Sequence, residues 1–274
     1  MNEVIYDNLD KNNICEVLYF DDIIAILDKQ LDEYSFVVTV EYDKLPVTKY
    51  KKIVFLIGEN SWNTGIDIYK GYTDVVAVFR DYCIPDRYDD KFIFPIPSGY
   101  NCRSNGKVMT RMYPEKPIKE REYDIFYSGQ KLPWREVLVK RLVELSSSYK
   151  IYSQATSSFR QGIDIDDYYQ LMGNSKICVV PDGTSIDTYR FTEACGSGCI
   201  VITTPKPDLW YYLKAPIYYV KDWGELTKEY LDNILLELTE SMEYRQGLIN
   251  KYYTENLTAE ATANYVLKVL ESKQ

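Results

Sequence analysis

Histidine does not occur in this chain of 274 residues, and its absence removes the most common general base of enzyme sites. Catalytic sites of the Ser-His-Asp and Cys-His kinds are therefore excluded, and any proton transfer would fall to Asp, Glu, Tyr, Lys or Cys. The sequence also contains no run of about 18 to 20 apolar residues that could span a bilayer. Its acidic, Asn-rich beginning lacks the pattern of a secretory signal, and we expect a cytoplasmic protein.

Two further shortages limit the ligands that the protein can bind. The six cysteines are scattered without a Cys-x-x-Cys pair, and no histidine can complete a zinc site, so we expect reduced thiols and no metal. The formal net charge of −9 argues against nucleic acid as a partner, because binding along a nucleic-acid backbone needs clustered Lys and Arg. Residues 116–152 are the net positive stretch, with eight basic and five acidic side chains.

The hydrophobic content of 46% is enough to form the core of one or two domains. Val17–Phe20 is a possible strand, and residues 21–31 have apolar side chains at helical spacing. Three nearly continuous apolar runs then favour parallel strands buried on both faces: residues 35–40, 52–57 and 74–79. Prolines 95 and 97 should end this sheet, and the polar stretch 98–122 indicates an interdomain linker.

The second half repeats the alternation of strands and helices. A strand at Tyr123–Tyr127 precedes a turn at Ser128–Gln130 and an amphipathic helix. The further predicted strands are 149–152, 176–180 and 199–203, and the further helices are 166–172, 187–195, about 225–247 and 258–271. The pattern predicts an α/β fold of two Rossmann-like domains, residues 1–115 and 116–274, with the last helix able to pack back on the first domain.

The segment from Ser175 to Thr204 carries the clearest chemical signal. Its loop follows a buried strand, so it lies at the carboxyl edge of the sheet, where open α/β folds bind their ligands. The predicted binding loop runs from Asp182 to Asp187 and begins with Asp182 and Gly183, and the hydroxyl groups of Thr184 and Ser185 could donate to a ligand. Because the first amides of the next helix are unpaired and partly positive, we expect the loop to bind phosphate.

Arg190 and Glu193 lie three residues apart on that next helix and therefore share a face. An ordinary surface ion pair would explain them. Their position beside the loop favours a binding role instead, because a guanidinium can form two hydrogen bonds to phosphate and a carboxylate can accept both hydroxyls of a ribose.

At this segment the sequence resembles the exostosin-like family of glycosyltransferases. The resemblance rests on the strand that ends before Asp182-Gly183, on Arg190 and Glu193-Ala194, and on Gly198-Cys199-Ile200 leading into the next strand. It implies the GT-B fold, in which two Rossmann-like domains face each other across a cleft. It also implies that Arg190 and Glu193 contact a nucleotide diphosphate sugar, with a UDP-sugar favoured and no separate cofactor.

A second candidate donor contact follows the first strand of the second half. Glycine at position 129 would permit close approach of the backbone to a diphosphate; Ser128 precedes it, and Arg135 lies on the helix predicted to follow. An ordinary strand-to-helix turn is the alternative interpretation. The Asp164-Ile165-Asp166 tripeptide imitates the metal-binding DxD motif of another glycosyltransferase fold, but it precedes an apolar helical run, so we expect it to cap a helix.

The catalytic base of an inverting transferase would have to come from the first half. Glu59 and Asp81 both follow predicted strands there, and either could accept the proton of an acceptor hydroxyl. We expect transfer to a glycan or related acceptor, in surface polysaccharide synthesis. A sugar-binding protein without catalysis and a DNA-modifying glycosyltransferase of viral type are the alternatives, and the oligomeric state is left open.

Overall fold

The computed structural model describes residues 2–7, 9, 17–40, 44–58, 69, 71–82, 91–100, 103–104, 107–108, 116–157, 162–183, 185–239 and 241–273. Its main elements are two five-stranded sheets whose strands all run parallel. Each sheet has its own buried apolar cluster. The architecture is therefore mixed α/β, as the alternating sequence pattern predicts.

The first sheet has its strands in chain order, β1-β2-β3-β4-β5. The three apolar runs form its centre and are buried on both faces, which explains their nearly continuous hydrophobicity. The edge strand β5 contains Pro95, which lacks a donor for a further strand. The elements are β1 (Glu3–Asp7), α1 (Val17–Leu27), β2 (Tyr34–Thr39), β3 (Lys51–Leu56), β4 (Val75–Arg80) and β5 (Ile93–Pro95).

The prediction of a strand at residues 17–20 is wrong, because these residues form the first turn of α1. Tyr19, Phe20, Ile23 and Leu27 share one face of that helix and are fully buried, and this helical spacing prevails over the strand preference of the aromatic side chains. Strand β1 was not predicted from the sequence. It lies at the sheet edge and is only partly buried, so its sequence lacks a continuous apolar run.

The predicted linker, residues 98–122, is not featureless where the structure describes it. It contains an antiparallel hairpin of two-residue strands, β6 (Arg103–Ser104) and β7 (Lys107–Val108), and a 3-10 turn at Ile118–Glu120. Arg121 is buried and donates to the carbonyls of Ser175 and Ser197 at 2.8 and 2.9 Å. The end of the stretch is therefore anchored to the second half.

The second sheet has the strand order β12-β11-β10-β8-β9. Chain order reverses between the central strands β8 and β10, and such a reversal opens a crevice at the carboxyl edge of a parallel sheet. Its strands are β8 (Tyr123–Gln130), β9 (Ile151–Thr156), β10 (Ser175–Val180), β11 (Ile200–Thr203) and β12 (Tyr218–Tyr219). The intervening helices are α2 (Glu136–Leu145), α3 (Ile165–Gly173) and α4 (Tyr189–Gly196).

The predicted turn at Ser128–Gln130 is wrong, because these residues continue strand β8. They stay in register with Gln154–Thr156 of β9, and this pairing supplies the hydrogen bonds that a turn would have made internally. The predicted helix at about 225–247 is two helices, α5 (Lys228–Thr239) and α6 (Met242–Asn256).

The last described helix, α7 (Ala259–Glu271), packs against α1 on the first sheet. Its buried residues Ala263, Val266 and Leu270 belong to the apolar cluster of that sheet. Trp210 makes a further connection, since its indole donates to the carbonyl of Pro95 at 2.8 Å and its ring stacks on Tyr265. Among the helices that the structure describes, none is long and apolar enough to cross a membrane.

Candidate functional site

A pocket lies at the carboxyl edge of the second sheet, where the order of β8 and β10 reverses. The residues after β8, the loop after β10 and the start of α4 form most of its wall, and one residue comes from the end of β4 in the first sheet. Its lining residues are Tyr82, Gln130, Leu132, Arg135, Gly183, Ser185, Asp187, Thr188, Tyr189 and Arg190. Four of these are binding residues predicted from the sequence.

Arg135 is held rigidly by backbone carbonyls. It ends a 3-10 turn after β8 and is 4% exposed. Its Nε and Nη2 atoms donate to the Asp182 carbonyl at 2.9 and 2.6 Å, and its Nη1 donates to the Gln130 carbonyl at 3.2 Å. Burial and the charge of Arg190 lower the pKa of Arg135 to about 10. The guanidinium stays charged at neutral pH and lies close to a second positive group.

That second group, Arg190, is partly buried in the first turn of α4. The Thr188 side chain caps the helix and accepts from the Arg190 amide at 3.4 Å. Within the described part of the chain, the buried Nε of Arg190 has no hydrogen-bond partner. Burial acts to lower the pKa of Arg190, but Tyr168, Glu193 and Tyr127 more than offset it, and the net pKa is raised. Arg190 is thus a fixed positive charge with an unused donor.

Gly129 explains how the two guanidinium groups approach each other. A Cβ atom at this position would lie 3.2 Å from Nη1 of Arg135, 3.2 Å from Nη2 of Arg190 and 3.3 Å from the Tyr127 hydroxyl. The three groups therefore converge on the backbone of β8 at its carboxyl end. Two adjacent cations disfavour each other unless an anion lies near them, so this cluster is suited to bind a phosphate or diphosphate.

The loop after β10 is braced from both sides. The carboxylate of Asp182 pairs with Lys206 and accepts from the Thr204 hydroxyl at 3.3 Å. Lys206 also donates to the Ile186 carbonyl at 2.8 Å. Because its charge is already compensated, Asp182 contributes to the site through its carbonyl, which orients Arg135.

Within that loop, the Gly183 amide donates to the Ser185 carbonyl at 2.8 Å. Ser185 is buried, and its hydroxyl accepts from the Asp187 amide at 3.3 Å. The hydroxyl of Ser185 thus shapes the loop and lines the pocket at the same time. Thr184, the other hydroxyl predicted to bind, lies outside the described residues.

Glu193 is 1% exposed and is anchored by two tyrosines of α3. The Tyr168 hydroxyl donates to Oε2 at 2.7 Å, and the Tyr169 hydroxyl donates to Oε1 at 2.8 Å. Burial and the nearby Glu193 charge raise the pKa of both tyrosines, which keeps them protonated as donors. The carboxylate is therefore held by α3, interacts electrostatically with Arg190 and does not line the pocket.

Asp187 ends the loop that was predicted to bind, residues 182–187, but it was not singled out as a site residue, and it lines the pocket. It is 3% exposed and accepts hydrogen bonds from Ser98 at 2.8 Å, Tyr212 at 2.7 Å and Tyr211 at 3.2 Å. Burial raises its pKa above the ordinary aspartate range. Since Ser98 follows the first sheet, this carboxylate joins the two halves beside the helix cap Thr188. An acidic residue at the start of a helix is common in helix capping, so the sequence alone did not indicate that Asp187 connects the two halves.

Neither candidate for the catalytic base is among the described residues that line the pocket. Asp81 follows β4, is fully buried and accepts from the Gly58 amide at 3.0 Å. Its neighbour Tyr82, and not Asp81 itself, lines the pocket. Glu59 lies outside the described residues. Ser128 is buried within β8 and contacts Gln154 at 3.5 Å, so it does not line the pocket either.

No group of three or more Cys, Asp or Glu side chains in the described ranges is arranged to hold a metal ion. The Asp164-Ile165-Asp166 tripeptide begins α3, where the Asp164 carboxylate accepts from the Asp166 amide at 3.0 Å. The prediction that this tripeptide caps a helix is thereby confirmed.

No family model and no curated protein matches the sequence. Solved structures match nearly the whole chain. A glycosyltransferase from Rickettsia africae ESF-5 has a TM-score of 0.52 at 14% identity, over 99% of this chain and 97% of that one. Anabaena Alr3699/HepE, in complex with UDP, has a TM-score of 0.55 at 9% identity, over 99% and 100%.

AviGT4, a glycosyltransferase involved in avilamycin A biosynthesis, has a TM-score of 0.53 at 9% identity, over 98% of this chain and 97% of that one. At such low identity the likeness is one of fold. The two parallel sheets are consistent with the GT-B glycosyltransferase fold. The resemblance to the exostosin-like family in particular stays a prediction. The fold of this chain is therefore similar to that of solved glycosyltransferases.

Proposed function

We propose that this protein is a glycosyltransferase that moves a sugar from a nucleotide diphosphate sugar, preferably a UDP-sugar, to a hydroxyl of a glycan or related acceptor. The observation that carries the proposal is the convergence of Arg135 and Arg190 over Gly129 in the pocket. The pocket lies at the reversal of strand order, where parallel sheets bind nucleotides. A complex of the structurally similar Anabaena protein contains UDP, which is compatible with this choice of ligand.

In the proposed reaction, the diphosphate lies between the two guanidinium groups and the first amides of α4. As the bond from the anomeric carbon to the diphosphate breaks, negative charge grows on the leaving oxygen. Donors that are already fixed in place stabilise this charge without reorganisation. Arg135 is oriented by the Asp182 carbonyl and Arg190 has an unused Nε donor, so both can serve without a metal ion.

Glu193 does not line the pocket, and it is proposed to take part chiefly through Arg190. Its carboxylate balances the charge of Arg190, and its remaining lone pairs could accept ribose hydroxyls once the donor is bound. Because its two oxygens already accept from Tyr168 and Tyr169, we expect its removal to weaken nucleotide binding less than removal of Arg190.

The two-domain division proposed from the sequence, 1–115 and 116–274, assigns the donor to the second domain and the acceptor to the first. The domains would close over a cleft and exclude water. The base would come from the first domain, where Asp81 and Glu59 stay the candidates. The acceptor itself, a surface glycan in our proposal, is the least constrained part of this assignment.

Isothermal titration of UDP, UDP-sugars and GDP-sugars tests the nucleotide site. Arg190→Met should weaken UDP binding by about 10- to 100-fold, the usual effect of losing a hydrogen bond to a charged group. Arg141→Met is the matched control, because Arg141 is partly exposed on α2 and pairs with Glu144. Unchanged tight binding by Arg190→Met, or by Glu193→Ala, would remove that residue from the site.

A second assay separates a transferase from a sugar-binding protein. The pure wild-type protein should release UDP from its preferred UDP-sugar, slowly with water and faster with an acceptor. Binding without any release of UDP, with all candidate acceptors, would favour the non-catalytic alternative.

A further inference from the structure

Within the ranges that the structure describes, three non-glycine residues have the left-handed backbone conformation: Glu33 at φ 63°, Tyr82 at φ 46° and Lys214 at φ 61°. Glu33 and Lys214 have exposed side chains that extend into solvent from turns. Tyr82 is different, because it is 5% exposed. Among these three strained positions, Tyr82 is the buried one.

A bulky side chain in this conformation is a genuine outlier, since Cβ crowds the backbone there. Glycine or asparagine would adopt it at lower cost. Residues of this kind persist where the surrounding structure holds them, and they concentrate at ligand sites. The strain at Tyr82 therefore indicates that its side chain has a use at this position.

The location of Tyr82 indicates what that use is. It follows β4 at the carboxyl edge of the first sheet, and it lines the pocket that contains Arg135 and Arg190. The other residues that line this pocket in the described chain belong to the second half. Tyr82 is thus the contribution of the first half to the wall around the proposed diphosphate site.

The inference about Tyr82 rests on the proposed function. In the proposed donor, the diphosphate joins the nucleoside to the transferred sugar, so the sugar lies next to the diphosphate site. A tyrosine offers an apolar ring that can cover the C–H face of a sugar and a hydroxyl that can bond to one of its oxygens. We propose that Tyr82 binds the transferred sugar of the donor and so contributes to donor specificity. The first half then recognises the sugar, while the guanidinium pair binds the diphosphate.

The test compares UDP with the UDP-sugar that wild type binds best among UDP-glucose, UDP-galactose and UDP-N-acetylglucosamine. Tyr82→Asn removes the ring, and asparagine tolerates the left-handed conformation of this position. Tyr82→Phe removes only the hydroxyl. Lys214→Asn is the control, because it makes the same change at an exposed left-handed residue. Retained UDP binding shows that each variant is folded.

We expect Tyr82→Asn to bind the UDP-sugar about tenfold more weakly than wild type while its affinity for UDP changes less than about twofold. The affinity of Tyr82→Phe for the UDP-sugar should lie between those of wild type and Tyr82→Asn, and the affinity of Lys214→Asn should match that of wild type. An equal loss for UDP and UDP-sugar would overturn the inference, as would no loss for either ligand. Failure of wild type to bind any of these nucleotides would overturn the proposed function as well.

Discussion

Replacement of Gly129 by alanine tests whether the two guanidinium groups form an anion site. Gly129 has no left-handed backbone, so alanine fits the conformation of β8. The added Cβ would lie 3.2 Å from one nitrogen of each arginine, closer than the roughly 3.5–4.0 Å of an ordinary contact. Each guanidinium must move away by a few tenths of an ångström.

The expected effects on stability and on binding are different. Alanine gains about 0.5–1 kcal/mol over glycine in a strand, which offsets the crowding, so the free energy of unfolding should change by less than about 1 kcal/mol. The displaced arginines should make poorer hydrogen bonds to the diphosphate. A loss of about 1.4 kcal/mol corresponds to tenfold weaker UDP binding.

Isothermal titration with UDP and urea denaturation measure the two effects separately. Gly247→Ala is a matched control, because a Cβ at this exposed position inside α6 would meet nothing within 4 Å. It should stabilise the protein by about 0.8–1 kcal/mol and leave UDP binding unchanged. If Gly129→Ala binds UDP as tightly as wild type, the guanidinium pair is not the diphosphate site.

Two further predictions concern buried charges. Burial raises the pKa of Asp187, so the folded state holds this proton to a higher pH than the unfolded chain does. The wild-type free energy of unfolding should therefore rise, relative to Asp187→Asn, as the pH falls from about 7 towards about 4; urea titrations that show no such difference contradict this. Arg121→Met leaves two buried carbonyls without their guanidinium donor and should cost about 2–4 kcal/mol in urea denaturation, whereas the exposed control Lys119→Met should leave the urea midpoint close to that of wild type.

The sequence predicts the central strands well because burial on both faces requires a nearly continuous run of apolar residues. Runs such as 52–57 and 176–180 are apolar after an initial lysine, and they form most of β3 and β10. The edge strand and the start of the first helix have less distinctive sequence patterns. Strand β1 is partly solvated and has no apolar run, and residues 17–20 have strand-forming side chains that serve as one face of a helix.

Some residues of the candidate site could also be predicted from the sequence, and others could not. Arg135, Gly183, Ser185 and Arg190 could be predicted because the loop after a buried strand has a known position at the sheet edge. The hydrogen-bond partners of Asp187 and the place of Tyr82 in the pocket wall could not be predicted, since they depend on contacts between distant parts of the chain. The bond from Ser98 to Asp187 spans 89 residues, and no local pattern indicates it.

The position of α7 has a consequence for synthesis on the ribosome. This helix begins 164 residues after β5 ends, yet it covers α1 on the first sheet. At roughly 5–20 residues per second, the nascent chain carries an uncovered apolar face for about 10–30 s. The first sheet can form early, but its core closes only when α7 emerges, and chaperones that bind apolar surface should act during this interval.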